Sequence, residues 1–383
     1  MNVADKAGEA RANRAAALKG LYEAIARGNM FPFWATSDTV EHDEVVQLMA
    51  TPKAVPHVWR FAEIEPLLKR AAELVTMDDS ERRSLILVNP GLAPKRASVS
   101  TMYTAYRLND PGEIMPPHKH SPSAIRFGLI GEGNFTGVEG EDVVFGPGDM
   151  VLTPNDAWHN HGTVGDTPSI NLSVLDLPLV ETLHAVHFDH NYTEIENGRE
   201  VPKKVQTARY PADYSQAAYG HGGMVPRFVD HRRGGGKSSP MWVYRWEAME
   251  ALLERWKDFD GAPHEGVTIE YTDPVHGGPV FRTITFYVQM LRPGERTLPL
   301  RQTANLLIAP FEGSGHSIID GQRFDWTQFD TLAVPGGCWV EHVNGSDRDR
   351  VVFFVASDEP TQKALHLYRK FGRDRAGDLI RLD

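Results

Sequence analysis

Apolar residues recur at helical spacing in only four stretches of this chain, and these are peripheral to the rest of the pattern. The spacing predicts helices over Ala15–Ala26, Glu63–Val75, Trp246–Trp256 and Thr361–Phe371. Between them lie short runs rich in β-branched and aromatic residues, which predict strands. The runs are Ala124–Ile130, Glu141–Phe145, Met150–Thr153, Ser169–Leu175, Thr283–Leu291, Leu306–Phe311, His316–Ile319 and Val351–Val355. Val138-Glu139-Gly140-Glu141 and Ile319-Asp320-Gly321-Gln322 are hairpin-type turns, in which Gly accepts a positive φ. Many short strands at this spacing predict an all-β dominated chain of double-sheet jelly-roll barrels with peripheral helices. Asn191–Arg209 and Gly220–Pro240, with its Gly234-Gly235-Gly236 run, predict loop or linker.

The pattern contains a repeat. Gly112, Gly133, Gly140, Asp149, Pro154 and Trp158 have counterparts in Gly294, Gly315, Gly321, Asp330, Pro335 and Trp339, and a single one-residue gap between Gly133 and Gly140 reconciles the offsets. So long a period indicates a duplicated domain, since solenoid repeats are far shorter. The expected organisation is residues 1–95 as a helical and extended segment packing on the barrels, 96–190 as a first barrel, 191–245 as linker and loops, and 246–383 as a second barrel with a C-terminal helix.

Composition narrows the partners. The chain has 383 residues, enough for two or three domains each able to bury a core. Its net charge of -11 argues against nucleic acid or an anionic membrane surface. One cysteine, Cys338, excludes an internal disulfide framework and suits a reducing compartment, so a cytoplasmic location is expected. No apolar run approaches the length of a membrane span, and the Ala- and Arg-rich N-terminus lacks the apolar core of a targeting segment.

Chemistry concentrates in the first copy of the repeat. Gly112-Glu113-Ile114-Met115-Pro116-Pro117-His118-Lys119-His120 places two histidines two apart, on one face of an extended strand. His159 follows in Pro154-Asn155-Asp156-Ala157-Trp158-His159, after two glycine-marked turns. Three converging neutral imidazoles suit a first-row transition metal such as Fe, Cu, Ni or Zn. In the second copy His118 becomes Leu300, His120 becomes Gln302, His159 becomes Val340 and Arg126 becomes Ile308. One copy is therefore expected to hold a metal, and the other to keep the fold without it. His184, His187 and His190, spaced by three, do not sustain a ligand pattern, and Cys338 has no reactive-thiol context.

Gly112-x5-His118-x-His120 and Gly148-x5-Pro154-x4-His159 resemble the two motifs of the cupin superfamily. The glutamate that usually follows the first histidines is absent, with Ala124 and Ile125 in that region. More narrowly, His118-Lys119-His120-Ser121, Ala124-Ile125-Arg126-Phe127, Gly131-Glu132-Gly133, Leu152-Thr153-Pro154 and Trp158-His159-Asn160-His161-Gly162 resemble the gentisate/salicylate 1,2-dioxygenases. Ala54-Val55-Pro56-His57-Val58-Trp59, Glu81-Arg82-Arg83, Asn89-Pro90-Gly91-Leu92 and Tyr244-Arg245-Trp246-Glu247 extend the resemblance from about Phe31 to the C-terminal region.

The resemblance implies a bicupin, commonly a homotetramer, with one Fe(II) per chain on His118, His120 and His159 of the first cupin domain. It implies cleavage of a 2-hydroxybenzoate between the carboxyl- and hydroxyl-bearing carbons, with O2 as co-substrate. Three neutral ligands leave the ion's charge uncompensated, and a substrate chelating through carboxylate and phenolate supplies the missing negative charge. Arg126, in phase with the ligands, is expected to take the substrate carboxylate. His161 shares a strand face with His159 and is expected to meet the phenolic oxygen or bound O2, although its counterpart His342 also suggests a structural part. Arg82 and Arg107 match pocket-lining positions, and Arg107 departs from the more usual Gln. Tyr103 and Ala105 look close to the gentisate type. Ser173, in Leu172-Ser173-Val174-Leu175-Asp176, replaces the Asp that gentisate-cleaving relatives tend to carry.

A serine hydroxyl donates as well as accepts, and it does not repel a nitro oxygen or a halogen. The substrate expectation is therefore 5-nitrosalicylate first, with salicylate, 5-halosalicylates and 1-hydroxy-2-naphthoate behind it, and gentisate as the alternative. Two other classes compete: a different metal-dependent cupin chemistry such as an isomerase, and a non-enzymatic ligand-binding cupin. The three intact histidines count against the last.

Overall fold

In the strands Tyr103–Asn109, Ala124–Ile130 and Ser169–Leu175, alternate side chains are largely apolar and point one way. Tyr106, Leu108, Ile125, Phe127, Ile170, Leu172 and Val174 enter one continuous core with Phe286, Val288, Leu307, Val352 and Phe354 from the second half of the chain. Phe127 stacks on Phe354 with ring centroids 4.1 Å apart. The computed structural model describes residues 3–28, 30, 53–75, 83–222, 224, 226 and 238–383. It comprises two compact units, Met1–Lys53 and Ala54–Asp383. The first contributes the helix Val3–Arg27, and the second carries all the strands among the described residues.

Two six-stranded antiparallel sheets meet across that core, and they have the same plan. One runs Val243–Tyr244, Met150–Thr153, Ala124–Ile130, Ser169–Leu175, Tyr103–Asn109, Ser84–Ile86. The other runs His57–Trp59, Thr331–Val334, Leu306–Glu312, Val351–Ser357, Thr285–Leu291, Val267–Glu270. Each is closed into a barrel by a second sheet. In the first barrel this is Glu141–Phe145, Asn134–Val138 and His159–Thr163. In the second it includes Gly315–Ile319, Trp339–Asn344 and Leu300–Gln302. The fold is a bicupin, all-β dominated with few helices.

The barrels exchange their edges. His57–Trp59, from the N-terminal side, pairs with Thr331–Ala333 of the second barrel. Val243–Tyr244, from the second half, pairs with Met150–Val151 of the first. Each edge strand leads straight into a helix whose start is held by a buried or half-buried aspartate. Asp330 accepts the Phe61 N–H at 2.8 Å ahead of helix Phe61–Leu74. Asp149 accepts the Trp246 N–H at 2.8 Å ahead of helix Trp246–Trp256. A carboxylate there satisfies an orphan amide and complements the helix dipole. The glycine-marked turns hold as expected, with Glu139 and Gly140 at φ 51 and 81, and Asp320 and Gly321 at φ 49 and 81.

Two expectations change. Asn191–Arg209 is not all loop: it carries a hairpin, Thr193–Glu196 paired with Arg199–Pro202, turning on Asn197-Gly198 with both residues at positive φ. Thr361–Phe371 is not one helix. Helix Glu359–Ala364 stops, His366 adopts φ 59, and the chain continues as strand Lys370–Arg373. Helical spacing misled here because Leu365 and Leu367 remain exposed instead of facing a core. Most of Gly220–Pro240 lies outside the described residues. Among the described residues no helix is long and apolar enough to cross a membrane.

Candidate metal centre and active site

The loop that begins at Gly112, in the left-handed region at φ 77, delivers His118 beside the first residue of strand His159–Thr163. His118 and His159 form an antiparallel bridge, each N–H donating to the other's carbonyl at 2.9 Å. His120 lies two residues on, in strand Lys119–His120, which pairs with Phe188–Asp189. The rings converge: centroids are 4.4 Å apart for His118 and His159, 4.7 Å for His120 and His159, and 5.8 Å for His118 and His120. One potential ligand atom from each lies within 4.8 Å of the others.

Local backbone fixes which nitrogen faces inward. Nδ1 of His118 meets the Pro116 carbonyl at 3.1 Å, Nδ1 of His120 the Pro122 carbonyl at 2.8 Å, and Nδ1 of His159 the Ala157 carbonyl at 2.7 Å. A carbonyl only accepts, so each Nδ1 carries the proton and each Nε2 keeps its lone pair. The His159 Nε2 is buried without a hydrogen-bond partner. Burial first, and then the crowding of a second proton by the His118 and His120 rings and the Arg126 cation, hold the His159 imidazole well below its usual pKa. Neutral imidazoles with three converging lone pairs and no carboxylate suit a divalent transition ion and not Ca2+ or Mg2+. Among the described residues this is the metal-type group that side-chain geometry assembles; His184, His187 and His190 form none, and His187 instead pairs with Asp156 at 2.6 Å.

A cavity of about 450 Å3 opens beside His118 and His120. It brings together Tyr103, Ala105, Arg107, Arg126 and Ser173, five residues singled out from sequence. Arg126, 8% exposed, donates to Thr153 Oγ1 at 3.2 Å. Arg107 donates through Nε to Asn109 Oδ1 at 2.6 Å and also meets Met115 Sδ at 3.2 Å. Ser173 stands between Ala105 and Arg126 in the strand register, and its Oγ donates to the Ala105 carbonyl at 3.3 Å. His161 is fully buried, with Thr136 Oγ1 at 3.2 Å from Nδ1 and no partner on Nε2. Burial first, then Arg126, His159, His118 and Arg107, push its pKa well down. Arg82 lies outside the described residues. The neighbouring Arg83 is committed elsewhere, donating to the Ala72 and Val75 carbonyls and to Glu113.

The sequence reading missed the outer wall. Leu177, Glu181, Val186 and Phe188 line the cavity from the segment around helix Leu177–Thr182, and the Phe188 ring stands 5.5 Å from that of His120. The signal available was the Phe188-Asp189 pair, a strand too short for any pattern to reveal.

Comparison with known proteins gives the same direction. A cupin domain model matches residues 108–175. A gentisate 1,2-dioxygenase from Streptomyces is 33% identical over 361 residues, covering 92% of this chain and 94% of the relative. A 5-aminosalicylate 1,2-dioxygenase from Comamonas is 33% identical over 92% of this chain and 90% of its own length. The crystal structure of salicylate 1,2-dioxygenase from Pseudoaminobacter salicylatoxidans with gentisate superposes with a TM-score of 0.79, 27% identity and 94% coverage of each chain. A 5-nitrosalicylic acid 1,2-dioxygenase from Bradyrhizobium matches at 27% over only 35% of this chain and 66% of its own. With relatives above 30% identity along nearly the whole length and the same bicupin fold, the chain belongs to the gentisate/salicylate 1,2-dioxygenase family of ring-cleaving oxidoreductases.

Proposed function

We propose that the first barrel holds one Fe(II) on His118, His120 and His159 and opens a salicylate bearing a polar 5-substituent. The bond broken lies between the carboxyl- and hydroxyl-bearing carbons, and O2 supplies both inserted atoms. The observation that carries this reading is the convergence of His118, His120 and His159, with His118 and His120 lining a cavity that also receives Arg126. When bound, ferrous iron supplies open positions at which a chelating 2-hydroxybenzoate and O2 meet.

The surrounding residues bind and orient. Three neutral imidazoles bring no negative charge, so the site favours a ligand that arrives with a carboxylate and a phenolate. The Arg126 fork holds the carboxylate and fixes the ring plane. His161, its Nδ1 engaged by Thr136, presents Nε2 to the phenolic oxygen. Ser173 stands beside Arg126 and spends only a long hydrogen bond on Ala105, which leaves its hydroxyl available to a 5-substituent. Donation to a nitro oxygen, with the Arg107 cation on the same wall, puts 5-nitrosalicylate first. The second reading is gentisate or 5-aminosalicylate, whose hydroxyl or amino group Ser173 would accept. It is favoured by the relatives that match along the whole chain. A homotetramer in the cytoplasm is part of the same proposal, and sedimentation analysis tests the assembly.

The decisive measurement is kcat/KM of iron-loaded protein across 5-nitrosalicylate, salicylate, 5-halosalicylates, 1-hydroxy-2-naphthoate, 5-aminosalicylate and gentisate. A clear preference for gentisate, undiminished or strengthened in Ser173→Asp, removes Ser173 as the determinant. In Arg126→Gln, loss of a charge-assisted pair worth about 1.5–3 kcal/mol should raise KM at least tenfold. Absence of O2 uptake with every 2-hydroxybenzoate sinks the proposal as a whole.

A further inference from the structure

Beneath the layer that carries the histidines, the first barrel closes on four polar side chains. Asn109, Asn134, Ser169 and Asn171 are each no more than 2% exposed. Asn109 Nδ2, Asn134 Nδ2, Ser169 Oγ and Asn171 Oδ1 all lack a hydrogen-bond partner. The four are contiguous. Ser169 is the cross-strand partner of Asn109, and Asn171 that of Arg107. Asn171 Nδ2 donates to Asn134 Oδ1 at 2.9 Å, and Arg107 Nε donates to Asn109 Oδ1 at 2.6 Å. Their sequence neighbours Leu108, Ile170 and Leu172 face the core between the barrels, so Asn109, Ser169 and Asn171 point into the barrel, where Asn171 meets Asn134.

Leaving such groups bare costs on the order of 1–3 kcal/mol each, and the fold does not demand them. Equivalent register positions in the second barrel are Leu291, Val351 and Phe353. The strand register aligns Gly315 with Asn134, one residue on from the Gly133 match read in the sequence, and the Trp326 ring occupies the space an asparagine side chain would need there. The orphan set is also chemically mixed: two amide NH2 groups donate, one amide carbonyl accepts, and a hydroxyl does both. An anion needs donors alone and a metal cation acceptors alone. Water is the small species that satisfies both kinds at once, and two to four polar partners are what a buried water requires.

We infer that Asn109, Asn134, Ser169 and Asn171 form a binding site for a cluster of ordered water beneath the metal centre. The cluster accepts from Asn109 Nδ2 and so locks that amide with Oδ1 towards Arg107. Turned over, Asn109 would set its NH2 against the guanidinium. Asn109 is therefore a positioning residue that aims Arg107 into the substrate cavity. Arg107's part in substrate binding rests on the proposed function, whereas the water site does not.

A crystal structure of the iron-loaded protein, at a resolution that shows solvent, should place ordered water within hydrogen-bonding distance of Asn109 Nδ2 and Ser169 Oγ. Amides paired directly with one another over a dry floor would overturn the water site. Asn109→Leu, which installs the second barrel's residue, should raise KM for the preferred 2-hydroxybenzoate about tenfold while iron content and kcat hold. Asn109→Asp, which still offers Arg107 an oxygen, should restore KM. Should Asn109→Leu not fold, Ser169→Ala reads the same split with a smaller rise in KM. An unchanged KM in the folded variants would overturn the positioning role. Ordered water in a protein that turns over no 2-hydroxybenzoate would reject the proposed function and leave the water site standing. Turnover over a dry floor would do the reverse.

Discussion

Where the first barrel sets His159 against His118, the second sets Val340 against Leu300 in the same antiparallel pairing. Where the first pairs Ser173 with Arg126, the second pairs Val355 with Ile308. Leu300, Ile308, Val340, Val351, Phe353 and Val355 belong to a single apolar cluster that fills the second barrel. The first barrel's interior instead holds imidazoles, guanidiniums, amides and a cavity. Strand order, turns and edge exchange are shared, so the plan of the barrel does not depend on what fills it. The apolar barrel supplies stability through packing, and the polar one spends stability on pre-positioned charges.

One residue pair crosses that divide. Thr136 and His161 recur as Ser317 and His342. His342 Nδ1 lies 2.7 Å from Ser317 Oγ, Trp326 Nε1 donates to the same oxygen at 2.9 Å, and the imidazole packs 5.1 Å from the Phe353 ring. The same histidine packs against a core ring in one barrel and is a buried imidazole with an unpartnered Nε2 in the other.

The largest expected effect comes from making the first barrel resemble the second. His159→Val should release iron and abolish ring cleavage, because three protein ligands are the minimum for an open but stable site. Metal analysis should give one iron per chain for the wild type and almost none for the variant. Full iron occupancy and turnover in His159→Val would break the ligand assignment. Two tightly bound irons per chain in the wild type would break the contrast between the barrels.

The reverse exchange should cost stability and leave the chemistry alone. Phe353 is fully buried and packs against Trp326 at 4.9 Å. Phe353→Asn installs the first barrel's residue, removing a ring and burying an amide. Phe-to-small changes cost about 3–5 kcal/mol, and the unpaired amide adds to that. Urea unfolding should register the loss, with kcat and iron content of the folded fraction unchanged. A cost below about 1 kcal/mol would mean that the apolar filling is not what holds the second barrel.

The duplication, the histidine triad and the strands with strong alternation were legible in the chain because each leaves a periodic mark. The exchanged edges were not, although both flanking motifs were visible: His57–Trp59 and Val243–Tyr244 are too short to show a period, and nothing local says which sheet they join. The floor of the first barrel was illegible for a different reason. Asn109, Asn134, Ser169 and Asn171 alternate with apolar residues just as a solvent-facing row would, and only the closed barrel turns that row inward. The hairpin at Asn197-Gly198 was readable, since that dipeptide favours two positive φ values, but polar composition around it suggested loop. Tyr103, Ala105, Arg107 and Ser173, singled out in the chain, line the cavity wall, and Phe188 joins them there from a two-residue strand.

The smallest of these effects is a pH dependence carried by the second barrel. Burial lowers the His342 pKa from 6.5 to about 4. Between those values the unfolded chain binds a proton that the folded chain refuses, so stability rises with pH across the window and is lost as pH falls from 6.5 towards 4. The full shift corresponds to roughly 3 kcal/mol. His342→Gln keeps a hydrogen-bonding group beside Ser317 and removes the titration. Every other group is common to the two proteins, so the difference between the two profiles isolates His342. Urea unfolding at pH 7.5 and pH 4.5 should show the variant losing about 2–3 kcal/mol less than the wild type. Parallel profiles would mean that His342 takes up its proton in the folded state at an ordinary pKa, and that the apolar barrel does not exclude charge as its packing indicates.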